Sequence, residues 1–299
     1  MRKHPILLGL ILLFAIGFFS FLFLFGISLF DWSKGSFTSG RDKIGVVPVK
    51  GPILDSKDIV DQINKCADDP GIAAILLRID SPGGGVAASQ EIYDSVLSAK
   101  KKKKVVASLG SVAASGGYYV ACAADKIVSN PGTLTGSIGA IMHFTSVEET
   151  LKKIGIRASA IKSGQYKDIG SPLRNMTKGE RVLLQSVIDD IYDQFLEAVS
   201  LNRKIPRAIL KEYADGRVFT GRQALKLKLV DALGDMEAAV FLTAKLAGIQ
   251  GKPELVYSKE KGFALWKYFV EETKSAILGQ FNRELNGTLY YSGDWKAEY

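Results

Sequence analysis

The chain has 299 residues, is 47% hydrophobic and carries a formal net charge of +8, which is enough sequence for one large domain or two small ones. Much of the charge lies in residues 100–104, a lysine run without interleaved aromatic residues, so nothing in it indicates nucleic-acid binding; we interpret it as a solvated helix end, with anionic lipid headgroups as the alternative. The chain contains only two cysteines, Cys66 and Cys122, which are too few for a disulfide framework and are not at the spacing of zinc ligands. A single disulfide between them is the remaining alternative.

The first predicted element is a membrane anchor. Residues 1–5 form a basic flank, and residues 6–30 form an apolar span without charge. A helix of this length reaches about 37 Å, against about 30 Å of hydrocarbon. A cleavable signal peptide has a shorter apolar core, so a long cleaved signal is only the alternative. The flank predicts a single-pass anchor in the inner membrane, with a cytoplasmic N-terminus and a linker at residues 31–42 that leads to an extracytoplasmic domain.

Residues 43–250 alternate between apolar strands and helices. Strands are predicted at residues 43–51, 72–80, 105–110, 126–130, 135–141 and 155–164, and helices at residues 56–68, 87–99, 115–124, 147–154, 177–202 and 236–247. A further helical region follows Pro206, and residues 216–235 predict a strand, a helix and a turn. Buried strands separated by helices predict an α/β fold with a mainly parallel sheet covered on both faces.

Residues 251–299 form a C-terminal tail that we expect to be partly helical. Apolar residues fall roughly on one helical face, at Leu265, Tyr268, Phe269, Ile277 and Phe281. A helix docked on a neighbouring subunit is the favoured interpretation; an interfacial helix and a loosely ordered end are the alternatives. Residues 286–299 have no clear periodicity and are predicted to be flexible.

Two glycine-rich turns between a strand and a helix carry the candidate chemistry. The first, "DSPGGG" at residues 80–85, would let a ligand approach backbone N–H groups without a side chain in the way. It lacks the G-x-x-x-x-G-K-[ST] pattern of a phosphate-binding loop, which weakens a nucleotide-binding interpretation. An ordinary turn between strand and helix is the alternative.

The second turn, "AASGGYY" at residues 113–119, contains a candidate nucleophile. Ser115 stands where a helix would begin, so the N–H of Gly116 could donate to an oxyanion beside it. A helix-capping serine among small packing residues is the alternative. The first glycine-rich turn, at residues 80–85 and one βαβ unit earlier, favours the nucleophile. Tyr118 and Tyr119 would wall a pocket.

A serine nucleophile needs a base, and the chain contains only two histidines. His4 belongs to the membrane flank, and His143 follows a predicted strand without an acid to orient it, so we interpret it as packed at a strand end. Lysine serves as the base in Ser–Lys enzymes when burial or a neighbouring cation lowers its pKa. Lys162 and Lys167 lie in a polar loop, "IKSGQYKDIGSP", and residue chemistry alone does not choose between them.

Four motifs in this order, "DSPGGG", "ASGGYY", "TGSIGA" and "SGQYKDIGSP", make residues 43–247 resemble the signal peptide peptidase A family. These are membrane-anchored bacterial peptidases with a Ser–Lys dyad on a Clp-protease/crotonase-like fold of repeated βα units. The resemblance implies that Ser115 is the nucleophile and that Lys167, in "GQYK", is the general base rather than Lys162.

The resemblance also assigns the residues around this dyad. It implies oxyanion donors at the N–H groups of Gly116 and Gly84, and a hydroxyl at Ser137 that orients the lysine amine. It further implies that no metal or organic cofactor is required.

The family implies a serine endopeptidase that degrades cleaved signal peptides and other extended peptides at the outer face of the membrane. Long members carry two copies of the domain, and this chain carries one. The short members imply a homo-oligomeric ring in which Ser115 and Lys167 of one site come from adjacent subunits. A membrane protease for a specific partner membrane protein, an acyl-CoA enzyme and a non-catalytic scaffold are the alternatives.

Overall fold

The computed structural model describes residues 42–257 and Phe18. The predicted anchor, apart from Phe18, and the predicted tail beyond residue 257 lie outside the described residues. No helix in the described part of the chain combines the length and the apolar character needed to cross a bilayer.

Helices and strands alternate through most of the described chain. The strands are β1 (Lys43–Lys50), β2 (Ile72–Ser81), β3 (Lys104–Ala114), β4 (Lys126–Ser129), β5 (Leu134–Gly136), β6 (Val218–Thr220), β7 (Ala232–Leu233) and β8 (Glu254–Tyr257). The helices are α1 (Lys57–Asp68), α2 (Val86–Lys100), α3 (Gly116–Cys122), α4 (Glu148–Lys153), α5 (Lys178–Arg203), α6 (Arg207–Lys211), α7 (Gly221–Lys226) and α8 (Met236–Ala247).

The strands form one sheet in the order β6-β5-β3-β2-β1-β8, with β4 paired to β3 and β7 paired to β4. Every pairing is parallel except that of β5 with β6. Strand β3 pairs with β4 through residues 106–109 and then with β5 through residues 112–114, so β4 and β5 follow one another along the side of β3 opposite to β2. The prediction of an α/β fold with a mainly parallel sheet is confirmed.

Apolar side chains cover both faces of the sheet, because successive strand residues point to opposite sides. Val47 and Leu77 face the larger core, which is completed by α1, α2, α3 and α5. Val46 and Leu76 face the smaller core under α8. Continuous apolar strands are therefore explained by burial on both faces.

Two predicted strands differ from the structure. Residues 155–164 contain no strand, and the strand predicted at residues 135–141 is reduced to β5. The apolar residues in the first segment, Ile156 and Ile161, are exposed. A strand requires a ladder partner for its backbone groups, and the described chain offers none to this segment. Strand β8, which we predicted to be part of the tail, pairs with β1 instead.

Three lysines of the run at residues 100–104 bind groups at or near the ends of other helices. Lys100 Nζ donates to the carbonyl of Ala123 at 2.8 Å, Lys103 Nζ donates to the carbonyl of Cys66 at 2.7 Å, and Lys102 pairs with Asp68 at 2.7 Å. Ala123 and Asp68 lie at the ends of α3 and α1. These contacts support the helix-end interpretation of the run.

Both cysteines are free and buried, so the disulfide that the sequence left open is not formed. Burial raises the pKa of the Cys66 thiol and raises that of Cys122 to about 12. Both thiols therefore stay protonated and unreactive at neutral pH.

Candidate active site

Ser115 occupies a sharp turn between β3 and α3. Its φ is +51°, a left-handed conformation that is uncommon for any residue other than glycine. Its N–H donates to the carbonyl of Gly136 at 2.9 Å, and its carbonyl accepts from the N–H of Tyr119 at 2.8 Å. The side chain is partly exposed. A strained strand-to-helix turn of this kind can present a serine hydroxyl at the carboxyl end of its strand, as the nucleophile turn of α/β-hydrolases does.

The glycine turn after β2 packs directly against Ser115. Gly83 has a φ of +99°, and a Cβ at this position would lie 2.6 Å from the backbone N of Gly116 and 2.9 Å from Cβ of Ser115. A Cβ on Gly116 would lie 3.3 Å from the backbone N of Gly84. The two predicted oxyanion donors therefore belong to adjoining backbone segments beside the serine.

Hydrogen bonds on both sides of Gly84 fix this turn. Ile53 donates its N–H to the carbonyl of Gly83 at 2.9 Å, and its own carbonyl accepts from the N–H of Gly85 at 2.8 Å. The N–H of Gly83 donates to Oγ of Ser81 at 3.1 Å. Within residues 42–257 the N–H of Gly84 has no acceptor. It is therefore available to a group bound next to Ser115.

Ser137 lies one residue beyond the carbonyl that holds Ser115. It also has a φ of +51°, and its N–H donates to the carbonyl of Arg217 at 2.9 Å. Ser137 is partly exposed. This position, next to Gly136, is compatible with a hydroxyl that orients a neighbouring group.

The two tyrosines hold α3 in the core. Tyr118 is fully buried, and its hydroxyl donates to the carbonyl of Leu229 at 2.8 Å; burial raises its pKa well above the usual value. This burial contradicts the prediction that Tyr118 walls a substrate pocket. The Tyr119 ring packs against Tyr93 and Phe195, with centroid distances of 4.8 Å and 4.9 Å. We therefore assign the Tyr118 ring to packing, whereas Tyr119, which is half-buried, stays a predicted pocket residue.

Lys167 lies on the long segment between α4 and α5. Its side chain is exposed, and its backbone N–H donates to the carbonyl of Gly164 at 3.2 Å. Among the described residues, no hydrogen bond or ion pair joins its ammonium group to another side chain, and none joins it to Ser115. Lys162 differs, because it pairs with Asp168. The chain thus gathers Ser115, Gly116, Gly84 and Ser137 but not Lys167.

A group of charged residues beside Lys167 escaped the sequence analysis. Arg174 lies between Asp168 and Glu180 and pairs with both carboxylates. Its guanidinium holds the pKa of Asp168 well below its usual value and lowers that of Glu180 to about 2. The T-x-x-E pattern of Thr177 and Glu180, a capping box at the start of α5, is the signal that could have marked this cluster.

A cleft of about 630 Å³ lies between residues 140–146, residues 170–176 and α5. His143 lines this cleft and is exposed, so the prediction that it packs at a strand end is wrong. Ser115 does not line the cleft. Within residues 42–257, no group of three or more histidine, cysteine, aspartate or glutamate side chains is placed to hold a metal ion.

The mainly parallel sheet and the serine turn define an α/β fold, and comparison with known families assigns this fold to the Clp-protease type. The Clp protease profile matches residues 47–134, which include the second half of β1, all of β2 and β3, both glycine turns and Ser115. The profile of Peptidase family S49 matches residues 98–250, half of the chain. The chain belongs to Peptidase family S49 and is a serine protease.

Two relatives agree with this assignment, and one solved structure shares the fold. A protein of Synechocystis sp., named by inference as a protease, is 46% identical over 213 residues, which cover 71% of this chain and 77% of the relative. A protein of Enterococcus faecium, named by inference as signal peptide peptidase SppA, is 35% identical over 252 residues, which cover 79% and 73%. A mutant of the 1510-N membrane-bound stomatin-specific protease has a TM-score of 0.51 at 16% identity, covering 74% of this chain and all of that one, which shows a shared fold.

Proposed function

We propose that the protein is a membrane-anchored Ser–Lys endopeptidase that degrades cleaved signal peptides and other extended peptides at the outer face of the membrane. One observation carries this proposal: the turn of Gly83 and Gly84 meets Ser115 and Gly116, which sets two backbone N–H groups beside a serine in a strained turn. The substrate class is supported by the name of the Enterococcus relative. The location is supported by the apolar span at residues 6–30.

The residues are suited to acyl transfer. Neutral Lys167 takes the proton from Oγ of Ser115 while that oxygen attacks the peptide carbonyl. The N–H groups of Gly116 and Gly84 bind the resulting oxyanion, a contact of about 3–4 kcal/mol per donor in comparable sites. Lys167 then gives the proton to the leaving amine. Water, deprotonated by Lys167, hydrolyses the acyl-enzyme ester and regenerates Ser115, while the Ser137 hydroxyl orients the amine.

We further propose that each site is shared between two copies of the chain in a homo-oligomeric ring. A general base must lie within hydrogen-bond reach of its proton, and a lysine base must also be desolvated. In the single chain Lys167 is exposed and makes no hydrogen bond with Ser115. Apolar side chains on the same segment, including Ile154, Ile156 and Ile161, are exposed as well. A second copy that covered this segment would meet both requirements at once.

The test compares the wild type with Ser115→Ala, Lys167→Ala and His143→Ala, using fluorophosphonate labelling and cleavage of a signal-peptide substrate. We expect no labelling of Ser115→Ala, because the nucleophile is absent. Cleavage by Lys167→Ala should fall by about 10²–10⁴-fold, the usual contribution of a general base. His143→Ala should resemble the wild type. Labelling that survives the loss of Ser115, or cleavage that survives the loss of Lys167, would contradict the proposal.

A further inference from the structure

Lys167 lies on a segment without regular structure, so something other than a helix or strand must fix its position. Residues 157–176 contain neither helix nor strand. Two backbone turns lie around Lys167: its N–H donates to the carbonyl of Gly164, and the N–H of Ile169 donates to the carbonyl of Tyr166. Isolated turns restrain a lysine side chain weakly, because the chain on either side is free to rotate. The residues before and after Lys167 supply the missing restraint.

Asp168, the residue after Lys167, is held by a planar fork. Nε of Arg174 donates to Oδ2 of Asp168 at 2.8 Å, and Nη2 donates to Oδ1 at 2.9 Å. Nη2 also donates to the backbone carbonyl of Asp168 at 3.3 Å. Lys162 adds a contact to the same carboxylate. Both the side chain and the backbone of the residue next to Lys167 are therefore fixed by one guanidinium.

The other edge of the same guanidinium reaches the first turn of α5. Nη1 of Arg174 donates to Oε2 of Glu180 at 2.9 Å, and Nη2 donates to Oε1. The Glu180 side chain is only 2% exposed. Its Oε2 also accepts from the N–H of Thr177 at 2.8 Å, and its own N–H donates to Oγ1 of Thr177 at 3.2 Å. Arg174 thus ties Asp168 to a buried, fully engaged helix end.

Tyr166, the residue before Lys167, meets the same helix turn by a different contact. A Cβ built on Gly179 would lie 3.5 Å from the Tyr166 hydroxyl, so the phenol lies over the start of α5. The two neighbours of Lys167 therefore approach the first turn of α5 independently, one by an ion pair and one by packing. Lys167 lies between them, and its side chain is exposed and makes no hydrogen bond or ion pair with the described residues.

We propose that Arg174 is a positioning residue for Lys167 and acts through Asp168. The inference rests on the proposed role of Lys167 as general base. A base displaced by about 1 Å from its proton can lose about 10²-fold in rate. Only arginine presents two planar forks, so a lysine at position 174 would keep the charge and lose the geometry. Arg174 does not touch substrate in this scheme; it fixes the backbone from which the base extends.

The experiment measures kcat and KM for peptide cleavage by the full-length assembled protein. The central variants are Asp168→Asn and Arg174→Gln, with Arg174→Lys as the test of geometry. Arg174→Gln leaves the buried Glu180 carboxylate without its cation, so Arg174→Gln/Glu180→Gln is included to remove that charge. Arg207→Gln is the matched control, because Arg207 forms an exposed ion pair with Asp193 on another part of the surface.

We expect kcat to fall by about 10–100-fold in each central variant while KM stays within about twofold, because Lys167 acts in the chemical step and not in binding. The double variant Asp168→Asn/Arg174→Gln should lose no more kcat than either single variant, because both substitutions break the same contact. The kcat of Arg174→Lys should exceed that of Arg174→Gln by less than about threefold. Arg207→Gln should match the wild type. Sedimentation and thermal unfolding show whether each variant is folded and assembled.

Three results would overturn the inference. The first is a folded variant at position 168 or 174 that keeps wild-type kcat while Lys167→Ala is inactive. The second is full recovery in Arg174→Lys. The third is a loss of kcat that is accompanied by loss of folding or assembly, both in the single variants and in Arg174→Gln/Glu180→Gln. This result would assign Arg174 to folding. If Lys167→Ala itself remains active, the proposed catalytic base is the part that fails.

Discussion

At the scale of single residues, the site depends on a close approach between two backbone segments. Gly83 touches both Ser115 and Gly116, and its φ of +99° is strained for any residue with a side chain. The sequence predicts backbone access at Gly84 and Gly116. It does not single out Gly83, because a glycine required for packing and one required for substrate look alike in a sequence.

Gly83→Ala therefore tests whether this contact matters for catalysis. A Cβ would lie 2.6 Å from the backbone N of Gly116, and no flexible side chain could move aside. We expect the free energy of unfolding to fall by about 1–3 kcal/mol from overpacking. Activity should fall by about 10²-fold or more, because the displaced turn no longer offers the Gly84 N–H to the oxyanion. Urea unfolding and fluorophosphonate labelling rates measure the two effects.

Gly132→Ala is the control for that substitution, since a Cβ at this exposed position meets no atom within 4 Å. It should leave stability within about 0.5 kcal/mol and activity unchanged. Equal losses in the two variants would contradict a specific role for Gly83.

At the scale of elements, the edge strand β8 completes the sheet. Residues Glu254–Tyr257 run parallel to β1, and Leu255 packs against the smaller core under α8. Without β8, the backbone of β1 and its buried Ile44 would stand at the edge of the sheet. Unprotected edge strands invite pairing with other chains.

Fragments 42–257 and 42–251 test this element. The shorter fragment loses the β1–β8 ladder, and at about 0.5–1.5 kcal/mol per hydrogen bond its free energy of unfolding should be lower by about 2–4 kcal/mol. It should also aggregate at concentrations where the longer fragment stays dispersed. Thermal unfolding and light scattering supply the measurements; identical behaviour of the two fragments would show that β8 is dispensable.

The strands also show which parts of the fold a sequence pattern can predict. Strands β1, β2 and β3 were predicted because they are long, apolar and buried on both faces. Residues 155–164 carry a comparable apolar pattern but no ladder partner within the described chain, and a pattern does not state where a partner lies. Strand β8 has four residues and joins a strand far away in sequence, so no local signal marks it.

The serine turn was predictable because its chemistry is local, whereas the Arg174 network joins side chains across a loop.

At the scale of the whole molecule, the two proposed catalytic groups lie on parts of different character. Ser115 follows a strand of the packed sheet, whereas Lys167 belongs to a segment with exposed apolar side chains such as Ile156 and Ile161. Exposed apolar surface of this extent is typical of an interaction site. Our proposal that a second copy covers the segment makes the site a product of assembly.

Mixing two inactive variants tests this sharing. Ser115→Ala and Lys167→Ala protomers, co-expressed or exchanged at equal amounts, should regain activity where an intact serine meets an intact lysine from its neighbour. Random mixing in a ring of head-to-tail contacts gives about one quarter of the wild-type sites. Cleavage rates and the size of the mixed assembly are measured together. A mixed ring of confirmed composition that shows no recovery would mean that each chain uses its own lysine.

The left-handed backbone of Ser115 has a consequence for the history of the chain. Glycine would occupy this turn with less strain than serine, so selection for stability alone favours losing the side chain. A lineage that kept the fold only as a scaffold would be under no pressure to retain a costly hydroxyl at its tightest corner. On our proposal, the serine at position 115 is therefore kept for its chemistry, in spite of the strain that its side chain brings to this turn.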